Sequence, residues 1–108
     1  MSYEIIATPR FRSELKKLSK KFPSLKQEFI DLVNLLSSDP NQGVSLGHHC
    51  FKIRLAIASK GRGKSGGSRI ITCVKIHQNR VFLLSIFDKS DRESISDTEL
   101  QNLLSAIE

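Results

Sequence analysis

The sequence predicts a small α+β protein in the order β-α-α-β-β-β-α, with an N-terminal αα-hairpin packed on one face of a small antiparallel sheet. Two changes of pattern predict this class. Apolar residues recur at the helical period of 3.6 between residues 9 and 36, and then at the strand period of 2 from residue 51 onward. A final helical stretch follows the last strand. The length of 108 residues is typical of one domain, and we expect residues 1–108 to form it.

The first forty residues predict one strand and two helices. The run Tyr3–Ala7 (YEIIA) is rich in residues that favour strands. Thr8 followed by Pro9 is typical of a helix N-cap and a first helical residue. Two apolar stripes then follow at helical spacing: Phe11, Leu15, Leu18 and Phe22, and Leu25, Phe29, Leu32, Val33 and Leu36. Pro23 separates them, so the two helices should form an antiparallel hairpin.

The middle of the chain predicts a loop over residues 41–49 and then three consecutive strands. Residues 51–57 alternate apolar and polar or small side chains, which places Lys52 and Arg54 next to each other on the open face. Residues 69–77 and 80–87 predict two further strands joined by a short turn. The last strand is apolar at almost every position. It is therefore expected at the centre of the sheet, covered on both faces.

Two serines mark further helix starts. Ser24 and Ser96 are followed three residues later by Gln27 and Glu99, the spacing of a capping box. The terminal helix carries an apolar stripe of Leu100, Leu103, Leu104 and Ile107. We expect all the helices to pack on the same face of the sheet.

Several functional classes are excluded by composition. No apolar run approaches the roughly 20 residues of a membrane span, and the N-terminus lacks the pattern of a signal peptide. Cys50 and Cys73 lie in apolar strands and are expected as buried free thiols in a reducing cytoplasm. With two cysteines and three histidines, no metal-binding spacing is present. The sequence thus predicts a cytoplasmic protein with no membrane segment, no metal and no small-molecule cofactor.

Charge is distributed very unevenly along the chain. The net charge is +6, yet the segment from Pro40 to Phe87 contains no Asp or Glu. Its basic residues are Lys52, Arg54, Lys60, Arg62, Lys64, Arg69, Lys75 and Arg80. From Asp88 onward the balance reverses, with six acids against Lys89 and Arg92. A basic, acid-free segment predicts an anionic partner, and we expect the region from Lys52 to Arg69 to bind the phosphate backbone of RNA.

The glycine-rich segment 59–68 (SKGRGKSGGS) permits two interpretations. Residues 63–65 (GKS) resemble the end of a P-loop, but the first glycine of that motif falls at Ala58, and a strand rather than a helix follows. The better interpretation is a cationic hairpin around one phosphate, because arginine can hold a phosphate with two hydrogen bonds. Glycine also lets the backbone approach an anion. The alternative is a hairpin with ordinary solvated surface charges.

Two segments resemble a known family. CFKIRLA (Cys50–Ala56) and GKSGGSRIIT (Gly63–Thr72), followed by LLSIFDKSDRESIS (Leu83–Ser96), resemble the RelE/ParE toxin superfamily. The resemblance is closest to its HigB-like and RelE-like branch of type II toxin–antitoxin systems, and it covers essentially the whole chain. It implies a RelE-like fold and a ribosome-dependent mRNA endoribonuclease that inhibits translation. The implied partners are a cognate antitoxin protein, the ribosome and mRNA.

The resemblance also implies a metal-independent reaction. The ribose 2′-OH attacks the adjacent phosphate and leaves a cyclic phosphate and a 5′-hydroxyl. Lys52 and Arg54 match paired basic residues of the family, Arg69 matches the arginine that holds the scissile phosphate, and Lys89 matches a basic residue after the last strand. Lys64 is a further catalytic candidate. The candidates for RNA binding are Lys60, Arg62, Lys64 and Lys75.

The chain departs from the RelE pattern at two positions. Ser90 and Ser96 stand where RelE has a second catalytic arginine and a base-stacking tyrosine, so stacking would need Phe87 or another group. His48 and His49 are candidates for acid–base work, with His77 a weaker one, because the pKa of histidine suits proton transfer near neutrality. The base and the acid stay open among these histidines and Lys52, Lys64 and Lys89. Two alternative functions also stay open: a ParE-like inhibitor of DNA gyrase, and an RNA-binding relative without nuclease activity.

Overall fold

The computed structural model describes residues 2–60 and 66–107, and of Lys60 the backbone alone. Its strands are Glu4–Ala7 (β1), Val44–Gly47 (β2), Cys50–Leu55 (β3), Ser68–Lys75 (β4) and Arg80–Asp88 (β5). Its helices are Pro9–Lys21 (α1), Leu25–Ser38 (α2) and Asp97–Ser105 (α3), with short 3-10 turns at Ala58–Lys60 and Ile76–Gln78. The predicted α+β class is confirmed.

The strands form one sheet in the order β1-β5-β4-β3-β2. Neighbours from β2 to β5 are antiparallel, as predicted for consecutive strands. The first strand differs, because β1 pairs parallel with β5, with Glu4 opposite Arg80 and Ala7 opposite Leu83. The sheet is therefore mixed. The strand at the centre of the sheet is β4, but β5 is an interior strand between β1 and β4 and, as predicted, is buried along most of its length.

The strand β2 was not predicted. The sequence indicated a loop over residues 41–49, but Val44–Gly47 pairs along the edge of β3. Gly43 makes this pairing possible: its φ is +89°, and a Cβ there would lie 2.2 Å from the Lys52 carbonyl oxygen. A four-residue, largely exposed edge strand has too little apolar alternation to be recognised from sequence.

The two faces of the sheet are covered by different helices. One core joins α1 and α2 to the sheet through residues such as Phe11, Leu25 and Ile70, which confirms the predicted position of the αα-hairpin. The expectation that the terminal helix packs on that same face was wrong. Leu100 and Leu103 of α3 pack on the opposite face. The physical reason is that β5 is apolar on both sides and needs cover on both.

All three helices begin directly after the predicted cap residue, and two of the three caps make the expected side-chain hydrogen bond. The Thr8 hydroxyl accepts a hydrogen bond from the Phe11 amide, and the Ser96 hydroxyl accepts one from the Glu99 amide. The capping box expected at Ser24 was wrong, because the side chain of this N-cap residue makes no capping bond. That hydroxyl instead contacts the loop that follows β3. In the described ranges, no helix is long and apolar enough to cross a membrane.

Candidate functional site

Strand register gathers basic side chains at one end of the sheet. Arg54 of β3 lies directly opposite Arg69 of β4, and Arg69 lies opposite Phe87 of β5. Lys52 is two residues from Arg54 and therefore shares its face. Like charges placed directly opposite each other destabilise a sheet, so this arrangement requires a counter-charge.

Glu93 supplies that counter-charge from the loop between β5 and α3. Its carboxylate accepts hydrogen bonds from Nε and Nη2 of Arg69, at 3.4 and 3.3 Å. Lys52 reaches the same residue, with Nζ 3.4 Å from the Glu93 carbonyl oxygen and 4.0 Å from a carboxylate oxygen. One acid therefore bridges cations from two strands.

Burial separates the two opposed arginines. Arg69 is 1% exposed, and its Nη1 donates to the Ser68 carbonyl oxygen at 3.1 Å. The side chain of Glu93 is 46% exposed and lies over it. Arg54 is exposed, and Lys52 is partly so. Arg69, which the resemblance assigned to the scissile phosphate, is thus held beneath a carboxylate. Arg54, in contrast, is exposed to solvent.

Lys89 completes the basic cluster. It lines an open cavity of about 310 Å³ together with Arg54, Arg69 and Glu93. Its position depends on Gly67, whose carbonyl oxygen accepts a hydrogen bond from the Lys89 amide at 3.0 Å. A Cβ at Gly67 would lie 2.2 Å from the Leu55 carbonyl oxygen. This glycine therefore permits a close backbone approach between strands, which differs from the approach to an anion that the sequence suggested.

The cluster also affects the ionisation of Glu93. Partial burial by itself raises the pKa of this carboxyl, but the hydrogen bond and charge of Arg69, with Lys52 and Lys89, more than offset it. The net result is a pKa of Glu93 below its ordinary value. The carboxylate is consequently ionised at neutral pH.

The two positions that depart from the RelE pattern have structural roles here. The amide and hydroxyl of Ser90 both donate to the Asp88 carboxylate, at 3.0 and 2.8 Å, and Ser96 caps α3. Phe87 is 7% exposed, and the Arg92 guanidinium covers its ring at 4.4 Å from the centroid. Phe87 is therefore not open to a stacking base in this conformation, whereas Arg92 forms the outer surface at that point.

The histidines and Lys75 are not brought to the cluster. His48 and His49 form the turn before Cys50, which lies four residues from Arg54, or roughly 13 Å along a strand. His48 instead contacts Gln101 at 3.2 Å. His77 and Lys75 lie at this same far end of the sheet, beyond Cys73, which is opposite Cys50. The histidines thus have no direct access to the basic cluster.

The glycine-rich segment is fixed where it leaves β3. The Ala58 amide donates to the Glu28 carboxylate at 2.7 Å, and the Ser59 amide donates to the Ser24 hydroxyl at 3.0 Å. Both acceptors belong to the start of α2 and the residue before it. Arg62 and Lys64 lie outside the described residues, as does the side chain of Lys60. Within residues 2–60 and 66–107, no three His, Cys, Asp or Glu side chains are grouped to hold a metal ion.

Sequence reasoning missed Glu93. It lies 24 residues from Arg69 and outside the acid-free segment, so a charge count along the chain does not connect the two. The available signal was its position: an acid shortly after a central strand can fold back over the neighbouring strand. Arg92 was also missed, since its contact with Phe87 depends on the turn at residues 89–91.

Comparison with known proteins bears on both the fold and the sequence. The family model described as the RelE toxin of the RelE/RelB toxin–antitoxin system matches residues 13–107. Among solved structures, a free, arginine-substituted E. coli toxin RelE is 19% identical, with a TM-score of 0.63 and coverage of 86% of this chain and 90% of that one. A RelE mutant bound to a RelB antitoxin peptide is 25% identical, with a TM-score of 0.54 and coverage of 94% and 93%.

A third structure extends the likeness to another organism. The toxin–antitoxin complex RelBE2 from Mycobacterium tuberculosis contains a chain that is 18% identical, with a TM-score of 0.57 and coverage of 82% of this chain and 92% of that one. Structural likeness at this identity shows a shared fold, whereas the family model matches the sequence over nearly its whole length. The chain that arranges Arg54, Arg69 and Lys89 at one end of a mixed sheet therefore belongs to the RelE toxin family.

Proposed function

We propose that this RelE-family toxin is a metal-independent endoribonuclease that cuts mRNA on the ribosome and so inhibits translation in the cytoplasm. The observation that carries the proposal is the convergence of Lys52, Arg54 and Lys89 around the buried Arg69. Four cations from three parts of the chain create a strongly positive surface with an open cavity. A phosphodiester is the substrate class that such a surface favours.

The proposed chemistry follows from what the cluster contains. The 2′-oxygen forms a bond to phosphorus while the bond to the 5′-oxygen breaks, giving a cyclic phosphate and a 5′-hydroxyl. The proton of the 2′-OH passes to a base, and the leaving oxygen receives a proton from an acid. Arg54 and Lys89 lie where they can stabilise the negative charge that develops on the phosphate oxygens. Of the described residues that the sequence offered as base or acid, Lys52 and Lys89 lie in the cluster, whereas the histidines lie at the far end of the sheet.

The RNA surface continues beyond the cavity. Lys60, Arg62 and Lys64 belong to the segment that joins β3 to β4, and they would extend the contact along the phosphate backbone. Arg92 would offer its guanidinium plane to a base, in place of a base-stacking tyrosine at the position of Ser96. Lys75 is six residues from Arg69, or roughly 20 Å along the strand, and would contribute little.

The proposal includes a cognate antitoxin as partner, because relatives form complexes with RelB. Acidic side chains of such a partner would neutralise Arg54. Next to Arg54, a groove of about 630 Å³ between α2 and β3 is lined by the exposed apolar residues Leu35 and Val44, among others. An apolar segment of the antitoxin fits this groove. Leu35→Asp should then weaken the complex at least about tenfold in a titration with the antitoxin, because it places a charge in an apolar contact.

The nuclease test uses Arg54 rather than Arg69, because Arg54 is exposed and its loss should leave the fold intact. Wild type, Arg54→Ala and the control Lys75→Ala would be expressed in a permissive host, and mRNA 5′ ends mapped. We expect codon-phased cuts with wild type and Lys75→Ala. Arg54→Ala should reduce them by about a hundredfold, the usual effect of losing one charge-stabilising group.

The other outcomes identify the alternatives. Growth arrest with DNA damage and intact mRNA would replace the nuclease by a ParE-like action on gyrase. Binding to RNA without cleavage or toxicity would support an RNA-binding relative. That last alternative has one structural observation in its favour, since Ser90 and Ser96 serve the turn and the helix cap instead of catalysis.

A further inference from the structure

Glu93 occupies the edge of Arg69 that an oxyanion ligand would use. The two carboxylate oxygens accept from Nε and Nη2, at 3.4 and 3.3 Å, so the contact is bidentate. Phosphate and carboxylate share this mode of recognition by arginine, because both present two oxygens to two parallel N–H groups. The third nitrogen, Nη1, donates to the Ser68 carbonyl oxygen.

The same residue also engages a second cation. Lys52 Nζ lies 4.0 Å from a carboxylate oxygen of Glu93 and 3.4 Å from its carbonyl oxygen. A phosphodiester at this point would meet Lys52 and Arg69 together, as Glu93 does now. The carboxylate therefore matches an oxyanion substrate both in geometry and in the set of groups that it contacts.

The exposed fractions of the Arg69 and Glu93 side chains show which of the two can move. Arg69 is 1% exposed and fixed in the sheet, whereas the Glu93 side chain is 46% exposed. Glu93 lies in the irregular segment between the turn at residues 89–91 and the start of α3 at Asp97. Rotation of one exposed glutamate side chain would remove its carboxylate from Nε and Nη2 of Arg69 without any change in the sheet.

We propose that Glu93 is an internal competitor, which fills the oxyanion site of Lys52 and Arg69 in the free protein and leaves when a phosphodiester of RNA binds. This rests on the proposed function and names the ligand class and the entry step of the same site. Glu93 then sets the affinity for RNA: the phosphodiester must replace a carboxylate that already satisfies Arg69. Arg54 and Lys89, which are exposed, would make the first contact.

The test compares two variants that each remove one negative charge from the same loop. Glu93→Gln keeps the shape but weakens the contact with Arg69. Asp91→Asn removes the charge of an exposed residue two positions away. A 2′-O-methyl RNA oligonucleotide, which cannot be cleaved by 2′-OH attack, would be titrated by fluorescence anisotropy at fixed salt. We expect Glu93→Gln to bind about tenfold more tightly than Asp91→Asn, because only Glu93 must be displaced.

Two results would overturn the proposal. Equal affinities of the two variants would mean that Glu93 acts through long-range charge alone. Weaker binding by Glu93→Gln than by wild type would mean that the carboxylate orders the site for RNA. A second readout, the NMR signal of the Arg69 Nε–H during titration with inorganic phosphate, should shift at lower phosphate concentration in Glu93→Gln than in Asp91→Asn. Identical titrations would likewise count against displacement.

Failure of the proposed function gives a different pattern. If Glu93→Gln binds RNA and phosphate more tightly but wild type cuts no mRNA, the displacement of Glu93 is supported and the proposed nuclease activity is rejected. If wild type cuts mRNA and Glu93→Gln binds no more tightly than Asp91→Asn, the nuclease activity is supported and the displacement of Glu93 is rejected.

Discussion

Two opposed residue pairs lie on the same face of the β3–β4 hairpin, four residues apart, and they differ in what covers them. Cys50 and Cys73 face each other beneath the leucines of α3 and are 0% and 1% exposed. Arg54 and Arg69 face each other beyond the end of that cover, with Glu93 on top. The backbone pairing is the same in both places.

The difference shows that the element packed over each pair, and not the strand pairing, determines the burial and charge of the pair. Under an apolar helix, a hydrogen bond with Cys73 and burial raise the pKa of the Cys50 thiol, which keeps that sulfur neutral. Under an open loop, a carboxylate contacts Arg69 and the neighbouring Lys52, while Arg54 stays in contact with solvent. One hairpin thus has a buried apolar end and a charged, partly exposed end. The following predictions test that division.

The largest expected effect is on thiol reactivity. Both cysteines should react with a thiol reagent at least about a thousandfold more slowly in the native protein than in denaturant, because reaction requires an opening that exposes them. Labelling followed by mass spectrometry measures the rate. Rapid labelling of either cysteine under native conditions would show that α3 does not seal this end of the hairpin.

Removing part of the helical cover should destabilise the end of the β3–β4 hairpin that contains the cysteines. Leu103→Ala deletes a side chain that is 7% exposed and packs near the cysteine pair, so the free energy of unfolding should fall by about 2–4 kcal/mol. Ile76→Ala is the matched control, because Ile76 is 53% exposed and its loss should change stability by less than about 0.5 kcal/mol. Urea denaturation compares the two. Equal stabilities would contradict the role of α3 as a cover.

The two arginines should differ in their contribution to stability. Arg69→Ala removes a buried group that bonds Ser68 and Glu93, and it should lower the free energy of unfolding by about 2–3 kcal/mol. Arg54→Ala removes an exposed side chain and should change it by less than about 0.5 kcal/mol. The measurement is urea denaturation of both variants. Similar losses in the free energy of unfolding would show that Arg54 and Arg69 contribute equally to stability, which would contradict the difference in their burial.

The smallest effect concerns the pH dependence of the helical cover. The hydrogen bond from Arg92 is the main reason that the pKa of Glu99 lies below its ordinary value, burial opposes it, and Arg10 of α1 lowers it further. A carboxyl whose pKa is lower in the folded state adds stability that is complete above its unfolded pKa, roughly 4.3, and is lost as the pH falls through the folded pKa.

Glu99→Gln should therefore lower stability by less than about 1 kcal/mol at pH 7 and make the acid limb of the stability profile shallower. Thermal unfolding between pH 3 and 7 provides the comparison with wild type. An acid limb that stays as steep in Glu99→Gln as in wild type would assign the pH dependence to other carboxyls, such as Glu93.

Much of the fold could be predicted because its elements are marked locally. Thr8 with Pro9, and Ser96 with Glu99, set two helix starts within a few residues. The face that α3 covers could not be predicted, because the spacing of Leu100 and Leu103 defines an apolar stripe but not the surface it meets. The parallel pairing of β1 with β5 also depends on contacts far apart in sequence.

The basic cluster could be predicted in part. Alternation placed Lys52 and Arg54 on one face, and register then brought Arg69 opposite Arg54. The burial of Arg69 could not be predicted from charge, since a basic residue in a strand is usually exposed. The carboxylate over it depends on how one loop folds, and no periodic pattern encodes that contact. The site roles of these residues remain predictions for the variants above.

The pairing of β1 with β5 has a consequence for synthesis of the toxin. Glu4 meets Arg80, a separation of 76 residues, and the cavity is completed only by Lys89 and Glu93. Local structure such as the αα-hairpin can form early on a growing chain. The complete sheet cannot form until β5, which pairs with both β1 and β4, has been made. A nascent chain therefore has no assembled cavity until β5 and the loop that carries Lys89 and Glu93 have been made.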